Sequence, residues 1–170
     1  MKLLGLHNVY NALAGLLSAK LIEGRIDKKW KKSLWETEGE EMRTQIFHKD
    51  NITIINDAYN ANPSSMKAAF STLSLFKGRR IVVLGDMLEL GRFSKKLHQE
   101  VGKEARRIAD LIIGVGKYAK FYTQKGGVYF REKREAVRFL KDILRSRDVV
   151  LIKGSRAMGM EEIVSSLMGD

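Results

Sequence analysis

The segment "NDAYNANPSS", residues 56–65, places an acid, an aromatic ring and several amides directly after the apolar run "ITII". An ordinary turn needs only one or two such residues to reverse the chain. A carboxylate at the end of a strand, here Asp57, can accept hydrogen bonds from two hydroxyls of a sugar. Turn chemistry explains Asp57 equally well, so the residues alone leave both interpretations open.

A second polar loop, "KGSRAMG", follows the apolar run "VVLI" near the C-terminus. Lys153, Ser155 and Arg156 give this loop two cations and a hydroxyl, which suit a phosphate or a substrate carboxylate. A solvated surface loop is the competing explanation, and the two are about evenly balanced.

Two side-chain amides, Asn8 and Asn11, lie three residues apart in "HNVYN", on one face of a helix's first turn. An amide offers both a donor and an acceptor to a purine edge. Spacing alone favours the simpler interpretation, in which Asn8 caps the helix.

Residues 114–119, "GVGKYA", follow a predicted strand and fit the G-x-G-x-x-A pattern of dinucleotide-binding turns. Glu132 lies near the end of the next strand, where a ribose-binding acid would belong. A tight turn without a cofactor is favoured, because only a short helix fits before the next glycine pair. The chain has no P-loop sequence. His48 and His98 are isolated from other metal-ligating residues, and both are predicted to lie at the surface.

Strands and helices alternate from residue 52 onward. Short apolar runs, typical of buried parallel strands, occur in "RIVVLG", "DLIIGVG", "GVYF" and "DVVLIK". The segment "RTQIFHKDNITIIND" predicts a hairpin that turns at Asp50-Asn51. We therefore predict an α/β fold with a Rossmann-like, doubly wound, mostly parallel sheet, an antiparallel edge hairpin and two preceding helices.

Helices are predicted at residues 9–22 and 27–35, from Asn62-Pro63 onward, and from Ser94 to about Ala109. Ligands bind such sheets at the carboxyl ends of the strands. The loops "NDAYNANP", "GDMLELG" and "KGSRAMG" all follow strands, so we expect them to meet at one functional edge.

The composition of this chain of 170 residues, 44% hydrophobic and 30% charged, is that of a globular protein. No stretch approaches the roughly 20 apolar residues of a membrane span, and the interrupted N-terminal run is not read as a signal peptide. The absence of cysteine excludes disulfides and thiolate sites and is compatible with a cytoplasmic location. The net charge of +11 is scattered, which favours a solvated basic surface over nucleic-acid binding.

Several segments in this order resemble the C-terminal part of a Mur ligase: "HNVYNALAG", Arg43 before a hairpin, "DAYNANPSSMKAA", "RRIVVLGDMLELG" and "KGSRAMGMEEIV". The likeness covers essentially the whole chain, and "YNANP" and "GDMLELG" resemble the dipeptide-adding member. It implies a cytoplasmic, ATP-dependent, amide-forming ligase of peptidoglycan synthesis. The implied substrates are UDP-N-acetylmuramoyl-tripeptide and D-alanyl-D-alanine, with no nucleic-acid or membrane partner. Residues 1–39 would be the last helices of a central ATPase domain, and residues 40–170 a C-terminal domain.

The resemblance also implies roles for individual residues. Asn8 and Asn11 would lie beside adenine, Arg43 would reach the ATP phosphates, and Asp57 would bind the ribose. Substrate-facing positions would be Tyr59, Asn60, Asn62, Lys153, Ser155 and Arg156. No catalytic residue and no Mg²⁺ ligand is assigned to this chain, since the P-loop and the metal-binding acids would lie in the missing domains.

The sequence departs from the family pattern at two places. Asn56 stands where the family has the first of two paired acids, and "RFSKK" stands where an acidic stretch is usual. A chain lacking the P-loop is expected to be inactive alone, whether its shortness is natural or not. Its N-terminal helices are expected to have an apolar face that would otherwise be uncovered, and therefore to self-associate, to repack on the C-terminal domain or to be poorly ordered. The alternatives are a stand-alone NAD(P)-binding domain that uses "GVGKYA", and a basic nucleic-acid module.

Overall fold

The computed structural model describes residues 6–36 and 41–169. The chain divides into two compact units, residues 1–40 and residues 41–170. Within the described ranges, no helix has the length and apolarity that crossing a bilayer requires.

The first unit contains two helices, α1 (Leu6–Glu23) and α2 (Lys28–Glu36). Gly24 adopts φ +72°, which ends α1, and Asp27 accepts a hydrogen bond from the Lys29 amide at 3.1 Å to cap α2. Both predicted helices are therefore present. Exposed apolar side chains line much of α1: Val9, Tyr10, Leu13, Leu17, Leu21 and Ile22.

The second unit is built on a six-stranded sheet in the order β1-β2-β6-β3-β4-β5. The strands are β1 (Gln45–Lys49), β2 (Ile52–Asn56), β3 (Arg80–Gly85), β4 (Leu111–Val115), β5 (Val128–Phe130) and β6 (Val149–Lys153). Only the β1–β2 pair is antiparallel. The predicted mostly parallel sheet with an edge hairpin is thus confirmed.

Four helices cover the two faces of the sheet: α3 (Pro63–Leu73), α4 (Ser94–Ala105), α5 (Lys133–Ile143) and α6 (Glu161–Met168). One core layer packs α3 and α4 against the sheet through residues such as Met66, Leu73 and Val101. The other packs α5 and α6 through Leu140 and Ile163. The sheet is buried on both faces because its central strands are apolar along their whole length.

Local sequence signals account for two junctions. The hairpin turn places Asp50 and Asn51 at φ +50° and +60°, which these residue types tolerate better than most. Asn62 caps α3 by accepting the Ser65 amide at 2.8 Å, and the Ser65 hydroxyl accepts the Asn62 amide in return. These contacts fix where the loop after β2 ends.

Two predicted helices are shorter in the structure. The helix predicted to reach Ala109 ends at Ala105, after which the Arg107 and Ile108 amides make tighter bonds to carbonyls three residues back. The short helix predicted after β4 is a 3-10 turn at Ala119–Phe121. This turn folds so close to β4 that a Cβ on Gly114 would lie 2.6 Å from the Ala119 oxygen.

Candidate functional site

The loops that follow β2, β6 and β3 meet at one edge of the sheet, as predicted, because these three strands are neighbours. The Ser155 amide donates to the Asp86 carbonyl at 3.0 Å, and the Leu88 amide donates to the Ser155 hydroxyl at 2.8 Å. The same hydroxyl lies 3.5 Å from the Ala61 carbonyl. Ser155 is therefore buried where the three loops meet.

Lys153 joins the end of β6 to the loop after β2. Its ammonium donates to an Asp57 carboxylate oxygen at 2.6 Å, and to the carbonyls of Asp57 and Asn60 at 3.2 and 2.8 Å. Burial lowers the pKa of Lys153, the Asp57 carboxylate opposes this shift, and the Arg43 charge adds to it. The sequence left a ligand-binding cation and a solvated loop about evenly balanced; instead, the Lys153 side chain is turned inward with its three donors engaged.

The Asp57 carboxylate is held from both sides. Its Oδ2 pairs with Lys153, and its Oδ1 accepts the Thr44 amide at 3.1 Å and lies 3.5 Å from the Thr44 hydroxyl. A carboxylate can accept about four hydrogen bonds, so Asp57 retains capacity for a hydroxyl of a ligand. Neutralised by Lys153 and fixed by Thr44, it is a rigid acceptor at the rim of the site.

Arg43 lies beside this acid. Its guanidinium stacks on the Tyr59 ring, with Cζ 4.2 Å from the ring centroid. The Tyr59 amide donates to the Met42 carbonyl at 3.0 Å, which ties the two segments together. Met42 and Thr44, on either side of Arg43, adopt φ +56° and +52°, a left-handed backbone conformation that residues other than glycine rarely adopt. The structure thus brings Arg43 and Asp57 into one cluster.

Arg156 extends the cluster on the β6 side. Its Nη1 lies 2.7 Å from Glu161 Oε1 and 2.9 Å from the Met42 sulfur, while half of its side chain is exposed. The other oxygen of Glu161, Oε2, is buried without a hydrogen-bond partner among the described atoms. Sequence reasoning did not select Met42, Thr44 or Glu161, because nothing in their local spacing indicates chemistry.

Two amides of the loop after β2 are exposed at this edge. Asn60 Oδ1 accepts the Ala61 amide at 2.8 Å, which shapes the loop, and the Asn60 carbonyl is held by Lys153. Asn62 is committed to capping α3. Of the predicted substrate-facing residues, Lys153 and Ser155 are buried, whereas the others are exposed to solvent: Tyr59, Asn60, Asn62 and Arg156.

The predicted adenine residues lie in the first unit, on α1. Asn11 donates from Nδ2 to Asn8 Oδ1 at 3.4 Å, so the two amides share a face of the helix as the spacing indicated.

The "GVGKYA" turn has a structural function of its own. Asp86 Oδ1 accepts the amides of Tyr118 and Ala119 at 2.9 and 2.7 Å. These are the amides that a dinucleotide phosphate would need, and a 3-10 turn rather than a helix follows them. Gly116, at φ +118°, has the Asp86 carboxyl 2.9 Å from the position of a Cβ. The geometry therefore favours the tight-turn interpretation.

His98 was predicted at the surface, and this prediction is wrong. The ring is fully buried, and it stacks near Tyr122 with centroids 4.8 Å apart. Its position on α4, three and seven residues before the buried Val101 and Ala105, is a helical apolar spacing that could have revealed it. His48 is exposed, as expected. The described residues contain no group of three or more histidines and acids arranged to hold a metal ion.

Comparison with known proteins places these features in a family. A family model described as "Mur ligase, glutamate ligase domain" matches residues 42–156. The UDP-N-acetylmuramoyl-tripeptide--D-alanyl-D-alanine ligase of Bacillus subtilis is 34% identical over 178 aligned residues, which cover 98% of this chain and 39% of that protein. The chain thus spans well under half the length of this relative.

Solved structures show the same similarity. A MurF structure from Acinetobacter baumannii superposes with a TM-score of 0.88 at 31% identity, covering 98% of this chain and 38% of that one. The MurF ligase of Thermotoga maritima in complex with ADP gives a TM-score of 0.79 at 25% identity, covering 90% and 36%.

Proposed function

This chain belongs to the Mur ligase family, and we propose that it is the nucleotide-clamping, acceptor-positioning part of a cytoplasmic ATP-dependent ligase. That ligase would join D-alanyl-D-alanine to UDP-N-acetylmuramoyl-tripeptide in peptidoglycan synthesis, the reaction for which the Bacillus subtilis relative is named. Residues 1–39 are the last helices of its central ATP-binding domain, and residues 40–170 are its C-terminal domain. The observation that carries the proposal is the cluster of Arg43, Asp57 and Arg156 at the carboxyl edge of the sheet.

The proposal assigns the nucleotide to the Arg43 side of this cluster. Arg43 contacts the phosphates, since its guanidinium stays charged and its stacking on Tyr59 fixes its direction. Asp57 accepts the ribose hydroxyls through the capacity that Thr44 and Lys153 leave unused. Asn8 and Asn11 present their amides to the adenine. The ADP bound in the Thermotoga maritima relative supports a nucleotide as ligand.

The acceptor dipeptide belongs on the other side of the loop after β2. Tyr59, Asn60 and Asn62 border that side, and Arg156 offers a partly exposed cation to a carboxylate. Lys153 and Ser155 are assigned to this site as positioning residues, because their polar atoms hold the loops rather than face solvent.

The chemistry follows from these placements. ATP transfers its terminal phosphoryl group to the tripeptide carboxylate, which gives an acyl phosphate and ADP. The dipeptide amine attacks the acyl carbon and gives up a proton to a group outside this chain, and phosphate leaves from the tetrahedral intermediate. Mg²⁺, held by residues outside this chain, would neutralise charge on the phosphates. This chain supplies no base. It holds the two reactants close together and excludes water when it closes over the site.

A chimera tests the proposal. This chain replaces the matched segment of the Bacillus subtilis ligase, and formation of the pentapeptide product is measured. We expect the chimera to be active and the isolated chain to show neither ATP hydrolysis nor product.

In the chimera, Arg43→Met should lower kcat/KM by about 100-fold or more, the usual effect of removing a group that stabilises developing charge. Arg134→Met, on the exposed face of α5, is the matched control and should leave activity unchanged. Full activity of the Arg43 variant, or turnover by the isolated chain, would refute the proposal.

The exposed apolar face of α1 supports a further part of the proposal. Helices of a central domain, separated from the sheet they cover, leave such a face open to water. The isolated chain is therefore expected to self-associate through α1.

A further inference from the structure

His98 is a fully buried ionisable group that the proposed chemistry does not use. Its Nδ1 lies 2.7 Å from the Ser94 carbonyl, one turn earlier on α4, and its Nε2 lies 3.0 Å from the Met87 amide nitrogen. A carbonyl can only accept and an amide N–H can only donate. The geometry thus requires the neutral tautomer with the proton on Nδ1, and Nε2 accepts the Met87 amide.

The segment that His98 holds leads directly to the site. Leu88, which follows Met87, donates its amide to the Ser155 hydroxyl at 2.8 Å. The carbonyl of Asp86, which precedes Met87, accepts the Ser155 amide at 3.0 Å. Ser155 in turn lies against the Ala61 carbonyl in the loop after β2. Hydrogen bonds and the backbone of residues 86–88 together therefore connect α4 to the loops around Asp57 and Arg156.

We propose that His98 is a positioning residue that sets the loops after β3 and β6, and through Ser155 the edge at which the substrates bind. The structural part of this inference stands on the contacts above, whereas its effect on turnover rests on the proposed function. The ring itself touches no reactant. It acts by presenting Nε2 as an acceptor to the Met87 amide.

The surroundings of His98 keep the ring neutral. Burial lowers its pKa, which outweighs the opposing effects of the Ser94 carbonyl and the Asp86 charge. The other titratable groups facing the ring are Tyr118 and Tyr122, at centroid distances of 5.8 and 4.8 Å. A second proton, on Nε2, would leave two N–H groups facing each other at Met87 and would break the connection to the site.

Two substitutions distinguish the effect of losing the Nε2 acceptor from the effect of losing the volume of the ring. His98→Gln keeps an acceptor near the position of Nε2, whereas His98→Asn keeps a donor near Nδ1 and cannot reach Met87. Amide hydrogen exchange of this chain should show Leu88 and Ser155 exchanging about tenfold faster in His98→Asn, relative to the core amides of Val83 and Val150, as expected for loss of one buried hydrogen bond. The Gln variant should restore protection. Wild-type protection of Leu88 and Ser155 in the Asn variant would overturn the inference.

The unmodified chain gives an independent test, should both variants fail to fold. A ¹⁵N–¹⁵N coupling across the hydrogen bond from the Met87 amide to His98 Nε2 should be observed. On acidification, the Met87, Leu88 and Ser155 amide signals should shift with the midpoint of the His98 ring. A missing coupling, or Leu88 and Ser155 signals that do not follow the ring, would contradict the proposal.

The chimera separates this inference from the proposed function. His98→Asn should raise the KM for the dipeptide, and His98→Gln should return it to the parent value. If the exchange results hold but the chimera forms no product even with His98 intact, the proposed function fails and the positioning network stands. If the chimera is active and both variants leave the KM unchanged, the effect of His98 on turnover is refuted.

Discussion

Replacing Lys153 by methionine gives the sharpest test of how the site is held together. The Lys153 and Asp57 side chains are only 4% and 13% exposed, so Lys153→Met strands a carboxylate largely out of water. It also removes the donors to the carbonyls of Asp57 and Asn60. Breaking a buried ion pair from one side typically costs about 3–5 kcal/mol, and we expect that loss in the free energy of unfolding.

Lys133 provides a matched control. Its ammonium also makes three hydrogen bonds, one of them to Glu162 at the same 2.6 Å, but these side chains are 27% and 67% exposed. Water can solvate the Glu162 carboxylate after the substitution, so Lys133→Met should cost no more than about 1 kcal/mol. The contrast between the two variants isolates burial as the cause.

Urea unfolding followed by circular dichroism measures both variants. Tryptophan fluorescence would be misleading, because Trp30 and Trp35 are the chain's two tryptophans and both lie in α2, outside the sheet unit. The double variant Lys153→Met/Asp57→Asn should lose less stability than the sum of the single changes, since a neutral amide needs no cation. Equal costs for Lys153→Met and Lys133→Met would refute the argument from burial, as would strict additivity in the double variant.

Three further predictions concern glycine packing, pH and association. Gly102→Ala should destabilise the chain by about 1–3 kcal/mol, because a Cβ there would lie 2.6 Å from the Tyr122 carbonyl oxygen. In the same urea assay Gly15→Ala, with no atom within 4 Å, should be neutral or stabilise α1 by about 0.5–1 kcal/mol. Because His98 is neutral when buried but protonates in the unfolded chain, stability should fall as pH drops below about 6.5. His98→Gln should flatten that part of the measured pH–stability curve. An unchanged slope would mean that other groups cause the loss of stability at low pH. Leu17→Glu should reduce the association of the chain in sedimentation experiments, whereas unaltered association would exclude α1 as the contact surface.

The sequence predicted best those parts of the fold that local physics decides. The continuous apolar runs of β3 and β6 predicted strands buried on both faces, because no polar side needed to face water. Asp50-Asn51 and Asn62-Pro63 predicted a hairpin and a helix start, since each acts within a few residues of itself. The meeting of three loops followed from the rule that parallel strands end at a common edge.

The direction of individual polar side chains was less predictable. Lys153 has the residue type and strand-end position of a ligand-binding cation. Its partners Asp57 and Asn60 are 96 and 93 residues away in sequence, so only the folded chain shows that it holds a loop. The same holds for Asp86, because the Tyr118 and Ala119 amides that donate to its carboxylate lie more than 30 residues away in sequence. Both side chains are oriented by partners that are distant in sequence, so residue type alone did not predict their directions.

The left-handed backbone on either side of Arg43 sets the stability of the chain against the fixed direction of the Arg43 guanidinium. A β-branched residue such as Thr44 at φ +52° is strained, and glycine there would relieve that strain. Glycine would also widen the range of directions available to the neighbouring guanidinium and remove the hydroxyl beside Asp57. In the chimera, directed evolution under heat alone should therefore accumulate changes at residues 42 and 44 while product formation declines, and selection for product formation should restore the original residues.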